Sequence, residues 1–381
     1  MGGYRTRGHR AALAFVERCV KAEHPPHALL LVGPDGVGKT TLALDLAAGM
    51  LCLDANPAAR PCRVCAACRK VEHGNHPDLH RLAPEGAGQQ IRVGQVQALA
   101  AELALLPLEG RFRLAIVEHA QRLNLDAQNA LLKTLEEPPS DVCLILAADD
   151  SSTLLATVVS RCARLRLGPV ASELIAELLD QAGLADRSRG AALARLCGGR
   201  PGAALALAHR PEAVIAQERL VRTLIDLLSA DRRRRLGSQA DLVADGAVLA
   251  AAASGTYDES ATADEQERAS GPTSSQRPSR TGADRSASWR PSPAERRTAV
   301  AQVVAVWRDV ARDLAVAARG GRRELRQHDL IDELSRSGET VAANDVARFL
   351  VRLDATGRAL DAYANPELAL DALLLDWPHA R

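Results

Sequence analysis

Aromatic side chains are nearly missing: three Phe, three Tyr and three Trp make up 2% of 381 residues. So few rings do not supply the rows on which a single-strand binder stacks successive bases. Net charge is nearly missing too. Lys and Arg number 48 against 47 Asp and Glu, leaving +1. That balance excludes a polybasic nucleic-acid coat and an acidic tail, so any contact with DNA must come from a local patch. No apolar run approaches the roughly 18 residues that cross a bilayer. The first apolar stretch is broken at Glu17 and Arg18, which makes a poor secretory signal. The expectation is a cytoplasmic protein with no membrane partner. Lysine is scarce as well. Only Lys21, Lys39, Lys70 and Lys133 stand among the 48 basic residues, the rest being Arg. In a chain so skewed toward Ala, Arg, Gly and Pro, a retained Lys marks a position where Arg does not serve.

What remains is an ordinary globular composition, 47% hydrophobic and 25% charged, long enough for two or three domains. Apolar runs predict strands at 28–32, 78–82, 113–117, 142–147 and 163–167. Helical patterns at 39–51, 93–106 and 126–137 separate most of them, and Pro138-Pro139 stops the last. Strand and helix in alternation predict an α/β domain with a parallel sheet over residues 1–168. After Leu167 the pattern turns wholly helical. Helices are expected at 172–182 and 190–197, from Ala203 to about Ala253, again from Ala294, and last at 368–377. Residues 254–293 are rich in Ser, Thr, Gly, Pro, Arg and Asp and poor in apolar side chains, a composition expected of a disordered linker.

Three stretches carry chemistry. Gly33-Pro34-Asp35-Gly36-Val37-Gly38-Lys39-Thr40 follows a predicted strand and opens a predicted helix. In that setting G-x-x-x-x-G-K-[ST] is a phosphate-binding loop. Gly33, Gly36 and Gly38 let backbone N–H groups wrap phosphates, Lys39 reaches the β- and γ-phosphates, and Thr40, with Thr41 beside it, opens the helix and can hold Mg²⁺. ATP with Mg²⁺ is the expected ligand; a Gly-rich turn that binds nothing is the bland alternative. Cys52, Cys62, Cys65 and Cys68 supply four thiolates within seventeen residues, the donor set of a tetrahedral Zn²⁺. An iron–sulfur run needs a further Cys where Glu72 stands, and free thiols are the remaining reading. Cys19, Cys143, Cys162 and Cys197 are scattered among apolar neighbours, as small buried hydrophobes are. The strand 113–117 ends in Glu118-His119, where Glu118 is either a weak Mg²⁺ contact or a solvated strand end, and His119 is no substitute for a carboxylate base. Ser160-Arg161-Cys162, read alone, is a turn with a surface Arg.

Taken together, His27–Thr41, the cysteine module at 52–68, Gly74-Asn75-His76-Pro77-Asp78-Leu79, Asn129 to Pro139 and Ser160-Arg161-Cys162 resemble the bacterial clamp-loader family, the AAA+ subunits of the DNA polymerase III holoenzyme. The resemblance implies an AAA+ domain over 1–168 with a zinc insert, a small helical lid at 169–210, and a helical collar at 211–253 and 294–381. It also implies a ring with gamma/tau and delta subunits that opens a sliding clamp and places it on primed DNA. Two branches of the family share these motifs. The ATPase motor branch carries an acidic pair where Glu118-His119 stands, a polar sensor near Ala148-Asp149, and a second sensor Arg where only Arg200 is close. These departures, with Gly74–His80 and Leu106–Gly110, favour the delta-prime branch. That branch is expected to bind ATP, to hydrolyse it poorly, and to act as a stator that lends Arg161 in trans to a neighbour's ATP. An active motor is the alternative.

Overall fold

The computed structural model describes residues 3–22, 25–84, 90–254, 292–321 and 331–380. The chain divides into two units, Met1–Leu205 and Ala206–Arg381. The expected linker at 254–293 lies outside the described residues but for its ends.

In the first unit α1 (Arg10–Lys21) precedes β1 (Ala28–Val32), and α2 (Lys39–Leu51) follows it. Then come α3 (Ala66–Glu72), β2 (Leu79–Leu82), α4 (Val93–Leu103), β3 (Arg113–Val117), α5 (Leu125–Glu136), β4 (Val142–Ala148), α6 (Ala156–Val159) and β5 (Ala163–Arg166). The five strands are parallel in the order β2-β3-β4-β1-β5. Every residue of β1, β3 and β4 is buried. Helices cover both faces of such a sheet, so its central strands need apolar residues on both sides and read as unbroken runs. Successive residues feed alternate cores. Leu29, Leu31, Leu114, Ile116 and Ile145 join α1 and α2 on one face. Leu30, Val32, Ala115, Val117, Leu144 and Leu146 join α4 and α5 on the other. β5 lies at an edge, and Arg164 and Arg166 alternate outward from it. Charged residues there oppose pairing with another strand.

Two departures from the sequence pattern have physical causes. The stretch broken by Glu17 and Arg18 is α1, whose buried face is Ala12, Val16, Cys19 and Val20, at helical spacing. The helix expected over 93–106 stops at Leu103 because the next residues are held elsewhere. The buried carboxylate of Asp78 accepts the N–H groups of Leu108, Glu109 and Gly110 at 2.6, 2.8 and 2.7 Å. The Arg113 guanidinium takes the carbonyls of Glu102 and Leu106.

Three short helices close this unit: α7 (Ser172–Gln181), α8 (Arg187–Leu196) and α9 (Pro201–His209), the unit boundary falling inside α9. The second unit is helical throughout its described residues: α10 (Pro211–Asp226), α11 (Arg232–Gly237), α12 (Gln239–Ser254), α13 (Pro293–Ala317), α14 (Ile331–Thr340), α15 (Ala343–Asp361) and α16 (Pro366–Asp376). Its centre gathers three of the nine aromatics. Trp307, Phe349 and Trp377 pack with ring centroids 4.8 to 5.4 Å apart. Gly246 lets α12 approach α13 closely; a Cβ there meets the Ala299 carbonyl at 2.4 Å. Arg235 is fully buried and donates to the carbonyls of Leu227, Leu228, Leu374, Trp377 and Pro378. The Trp377 indole donates to the Leu224 carbonyl at 2.9 Å.

Candidate functional site

The loop Gly33–Thr40 leaves the carboxyl end of β1 and enters α2, with β4 and β5 level beside it. Val32 is in register with Ala148 and with Arg166, so the chain turns off all three strands at one height. This is the edge where open parallel sheets bind their ligands. Gly38 has φ 106°, a left-handed conformation that a side chain strains. Gly33 passes so close to β5 that a Cβ there meets the Leu167 carbonyl at 2.3 Å. The first turn of α9 reaches the same loop: Gly202 N–H donates to Gly36 O at 2.8 Å.

Lys39 is 6% exposed. Its ammonium donates to Gly33 O at 2.7 Å, to Pro34 O at 3.0 Å and to Asp149 Oδ1 at 2.7 Å. Asp149 is the first residue past β4 and is fixed from its other side by Gln121. Gln121 Nε2 donates to Asp149 Oδ2 at 2.7 Å, and Asp149 N–H donates to Gln121 Oε1 at 3.2 Å. One ligand atom each from Asp35, His119 and Asp149 lie within 4.8 Å of one another. Glu118 is not in that group. Its Oε1 accepts from Arg81 Nε at 2.9 Å and Nη2 at 2.6 Å, so its carboxylate is turned toward β2. Thr40 is half-buried, Thr41 is exposed, and the Arg200 Nε donates to Cys197 O at 2.7 Å. The structure thus gathers Gly33, Gly36, Gly38, Lys39 and Thr40 with Asp149 and Gln121. Sequence reasoning noted Asp149 only as a departure from a family pattern and passed over Gln121. The readable signal was the end of a strand beside the phosphate loop; the pairing that puts β4 there was not readable.

Arg161 lies just past α6. Its Nη1 donates to Thr157 O at 3.0 Å, and its Nη2 pairs with Glu136 Oε1 at 2.8 Å. The side chain remains about a third exposed, at 35%.

The four cysteines converge as their spacing predicts. All four Sγ atoms lie within 4.8 Å of one another, and Cys52 and Cys65 are 4.0 Å apart. Zn–S bonds of about 2.3 Å place tetrahedral sulfurs about 3.8 Å apart, so this set fits Zn²⁺. Backbone N–H groups of Cys62, Cys65 and Cys68 point at the Sγ atoms of Cys52, Cys62 and Cys65, each at 3.4 Å, which favours thiolates. Burial pushes the Cys68 thiol up. At Cys65 burial also works upward, but the N–H groups of Cys68 and Leu53 and the neighbouring thiols outweigh it and bring the thiol down to about 7. The nearby histidines are engaged elsewhere. His73 Nδ1 lies 2.7 Å from Arg69 O, His76 Nδ1 accepts from Asp78 N–H, and His80 faces Arg113. Of the four remaining cysteines, Cys19, Cys143 and Cys197 are buried and Cys162 is half-buried.

Comparison with known proteins gives this architecture its relatives. Residues 8–171 match the family described as "DNA polymerase III, delta subunit". The DNA polymerase III subunit delta' of Bacillus subtilis is 38% identical over 160 residues, 42% of this chain and 47% of its own length. That of Pseudomonas aeruginosa is 43% identical over 142 residues, 37% of this chain and 43% of its own. The DNA polymerase III subunit tau of Escherichia coli is 37% identical over 154 residues, 40% of this chain and 23% of its own. The chain spans less than half the length of these relatives, and the matched part holds the phosphate loop, the cysteine module and Arg161. Among the described residues no helix is long and apolar enough to cross a membrane. Over residues 8–171, on a parallel five-stranded sheet with a phosphate loop at the end of β1, this chain is thus similar to the delta' and tau subunits of DNA polymerase III.

Proposed function

We propose that this chain is the stator of a clamp-loader complex: it helps place a sliding clamp on primed DNA by supporting ATP turnover in a neighbouring subunit. The observation that carries this reading is the fate of the residues after β3. A hydrolytic site needs a carboxylate base there, and Glu118 is committed to Arg81 while His119 follows it. The loop at Lys39 binds nucleotide in this reading and turns it over poorly. Arg161 supplies the other half. A guanidinium given in trans stabilises charge developing on a transferring γ-phosphate, an effect of about 10³–10⁵ in rate. Exchange of the Glu136 carboxylate for a neighbour's phosphate keeps Arg161 in an ion pair throughout. Gamma/tau and delta subunits are the partners, with the clamp and primed DNA engaged by the whole complex. Zn²⁺ on Cys52, Cys62, Cys65 and Cys68 is structural, since four thiolates leave no position open for substrate.

Reconstitution with partner subunits, clamp and primed DNA tests the reading. Arg161→Ala lowers stimulated ATPase and clamp loading while assembly persists. Arg161→Lys restores little, because an ammonium lacks the planar fork. Lys39→Ala leaves the ATPase of the complex nearly unchanged. Similarity to the tau subunit and the complete phosphate loop favour the motor alternative. Loss of turnover in Lys39→Ala with a silent Arg161→Ala establishes that alternative instead.

A further inference from the structure

An ammonium has three protons to donate. On Lys39 all three are spent, on Gly33 O, Pro34 O and Asp149 Oδ1. Two of these acceptors are the loop's own carbonyls. The third comes from outside the loop, off the end of β4, and it is the only anion of the three. Its position is built rather than incidental. The register Val32↔Ala148 brings Asp149 level with Gly33, and Gly33 N–H donates to Ala148 O at 3.2 Å. Gln121 then holds both the carboxylate and the backbone N–H of Asp149. Asp35 adds a second carboxylate within 4.8 Å.

We infer that Asp149 is an internal competitor for the γ-phosphate, so that this site takes a nucleoside diphosphate in preference to a triphosphate. The inference rests on the nucleotide reading of the loop and narrows it to a ligand class. A β-phosphate is held by the N–H groups at the start of α2 and needs only one proton of Lys39, which a carbonyl of the loop can release. A γ-phosphate needs a second proton from the same ammonium. It must take the place of Asp149, and it brings its own negative charge beside Asp149 and Asp35, two exposed carboxylates whose repulsion water partly screens, so the lost hydrogen bond to Lys39 is the larger effect. Loss of one charge-assisted hydrogen bond, with the repulsion left in place, corresponds to roughly ten- to a hundredfold in affinity. Such a subunit stays in one nucleotide state while its neighbours cycle, which is the behaviour a stator needs.

Titration of the full chain with ADP and with ATP, both in excess Mg²⁺, tests this by calorimetry. The wild type should bind ADP about tenfold or more tightly than ATP. Asp149→Asn keeps the shape and removes the charge; it should raise ATP affinity by about tenfold and leave ADP nearly unchanged. Asp149→Ala should do the same, and Gln121→Ala, which loosens the carboxylate, should fall between. Thermal melts of each variant identify any that fail to fold, and one folded variant among the three suffices. ADP binding with an ADP:ATP ratio near one, or a ratio that all folded variants leave unchanged, overturns the inference and spares the nucleotide reading. Absence of binding of either nucleotide to the wild type and to every folded variant overturns both.

Discussion

Asp45 accepts two hydrogen bonds from Thr6, one from the backbone N–H at 2.8 Å and one from the hydroxyl at 2.7 Å. Asp45 is wholly buried on α2, six residues after the phosphate-loop lysine. The same carboxylate pairs with Arg63, which sits between Cys62 and Cys65 in a left-handed conformation. The Arg63 Nε donates in turn to Gly3 O at 2.8 Å. One carboxylate therefore fastens the N-terminal segment and the cysteine knuckle to α2, the helix that follows the Gly33–Thr40 loop. Asp45→Ala leaves the Thr6 N–H without its acceptor and Arg63 with Gly3 O but no anion, and removal of the buried partner of such a pair costs about 3 kcal/mol. Asp45→Asn keeps the shape and part of the bonding and should cost about half as much. Thermal melting checks the order of the two variants. Faster reaction of the four cysteines with a thiol reagent in Asp45→Ala confirms that the knuckle has loosened.

The segment His76–His80 predicts how the protein responds to acid. Burial holds His76 below its ordinary range, and burial with the Arg113 charge does the same to His80. For Asp78 burial works upward, but the N–H groups of Leu108, Glu109 and Gly110 outweigh it and hold the carboxyl low. All three groups bind fewer protons folded than unfolded, so stability rises with pH wherever the unfolded chain is the more protonated. Melting temperature should therefore fall as pH drops below about 6.5, where unfolded His protonates, and fall further below about 4, where unfolded Asp does. His76→Gln should flatten part of the upper slope and leave the lower. Asp78→Asn should flatten the lower slope and cost about 3 kcal/mol at neutral pH through weakened bonds to three N–H groups. A melting temperature independent of pH between 4 and 6.5 contradicts the assignment.

Freshly purified protein should carry about one Zn per chain by elemental analysis. Cys65→Ser removes one of four donors and should lose the metal, lower the melting temperature of the first unit and leave nucleotide binding at Lys39 in place. Iron in the preparation, or no metal, defeats this prediction.

Trp377 contacts Trp307 and Phe349 and donates to the Leu224 carbonyl. Trp377→Ala opens a large cavity and orphans that carbonyl, a loss of about 3–5 kcal/mol. The loss should appear in a separate transition of the second unit. Trp377→Phe should recover most of the packing and none of the hydrogen bond.

What the sequence made legible follows from how local each cause is. Continuous apolar runs ended by Gly33 and by Glu118 placed β1 and β3 to the residue, because a strand buried on both faces announces itself. The cysteine spacing located its own cluster, since ligands so close in sequence converge through one turn and one short helix. The overrun of α4 was invisible from within the segment, because Asp78, thirty residues away, sets the stop. The partners of Lys39 and Glu118 were equally hidden. Asp149 and Arg81 arrive from other strands, and strand order with register decides who meets whom. α1 was missed because charges on its solvent face interrupt an apolar run that is continuous only in three dimensions.

Arg235 carries a consequence for the order in which the molecule can form as it is synthesised. Its carbonyl partners at Leu374, Trp377 and Pro378 lie 139 to 143 residues downstream, and Trp377 closes on Leu224 across 153. The sheet of the first unit, by contrast, has its last strand in place at Arg166. A nascent chain can therefore complete its sheet-bearing half early. The helical half must hold a buried-to-be cation and an open aromatic centre exposed until its final turn has been made. Domains that wait in this way are the ones most in need of protection from their own unfinished surfaces.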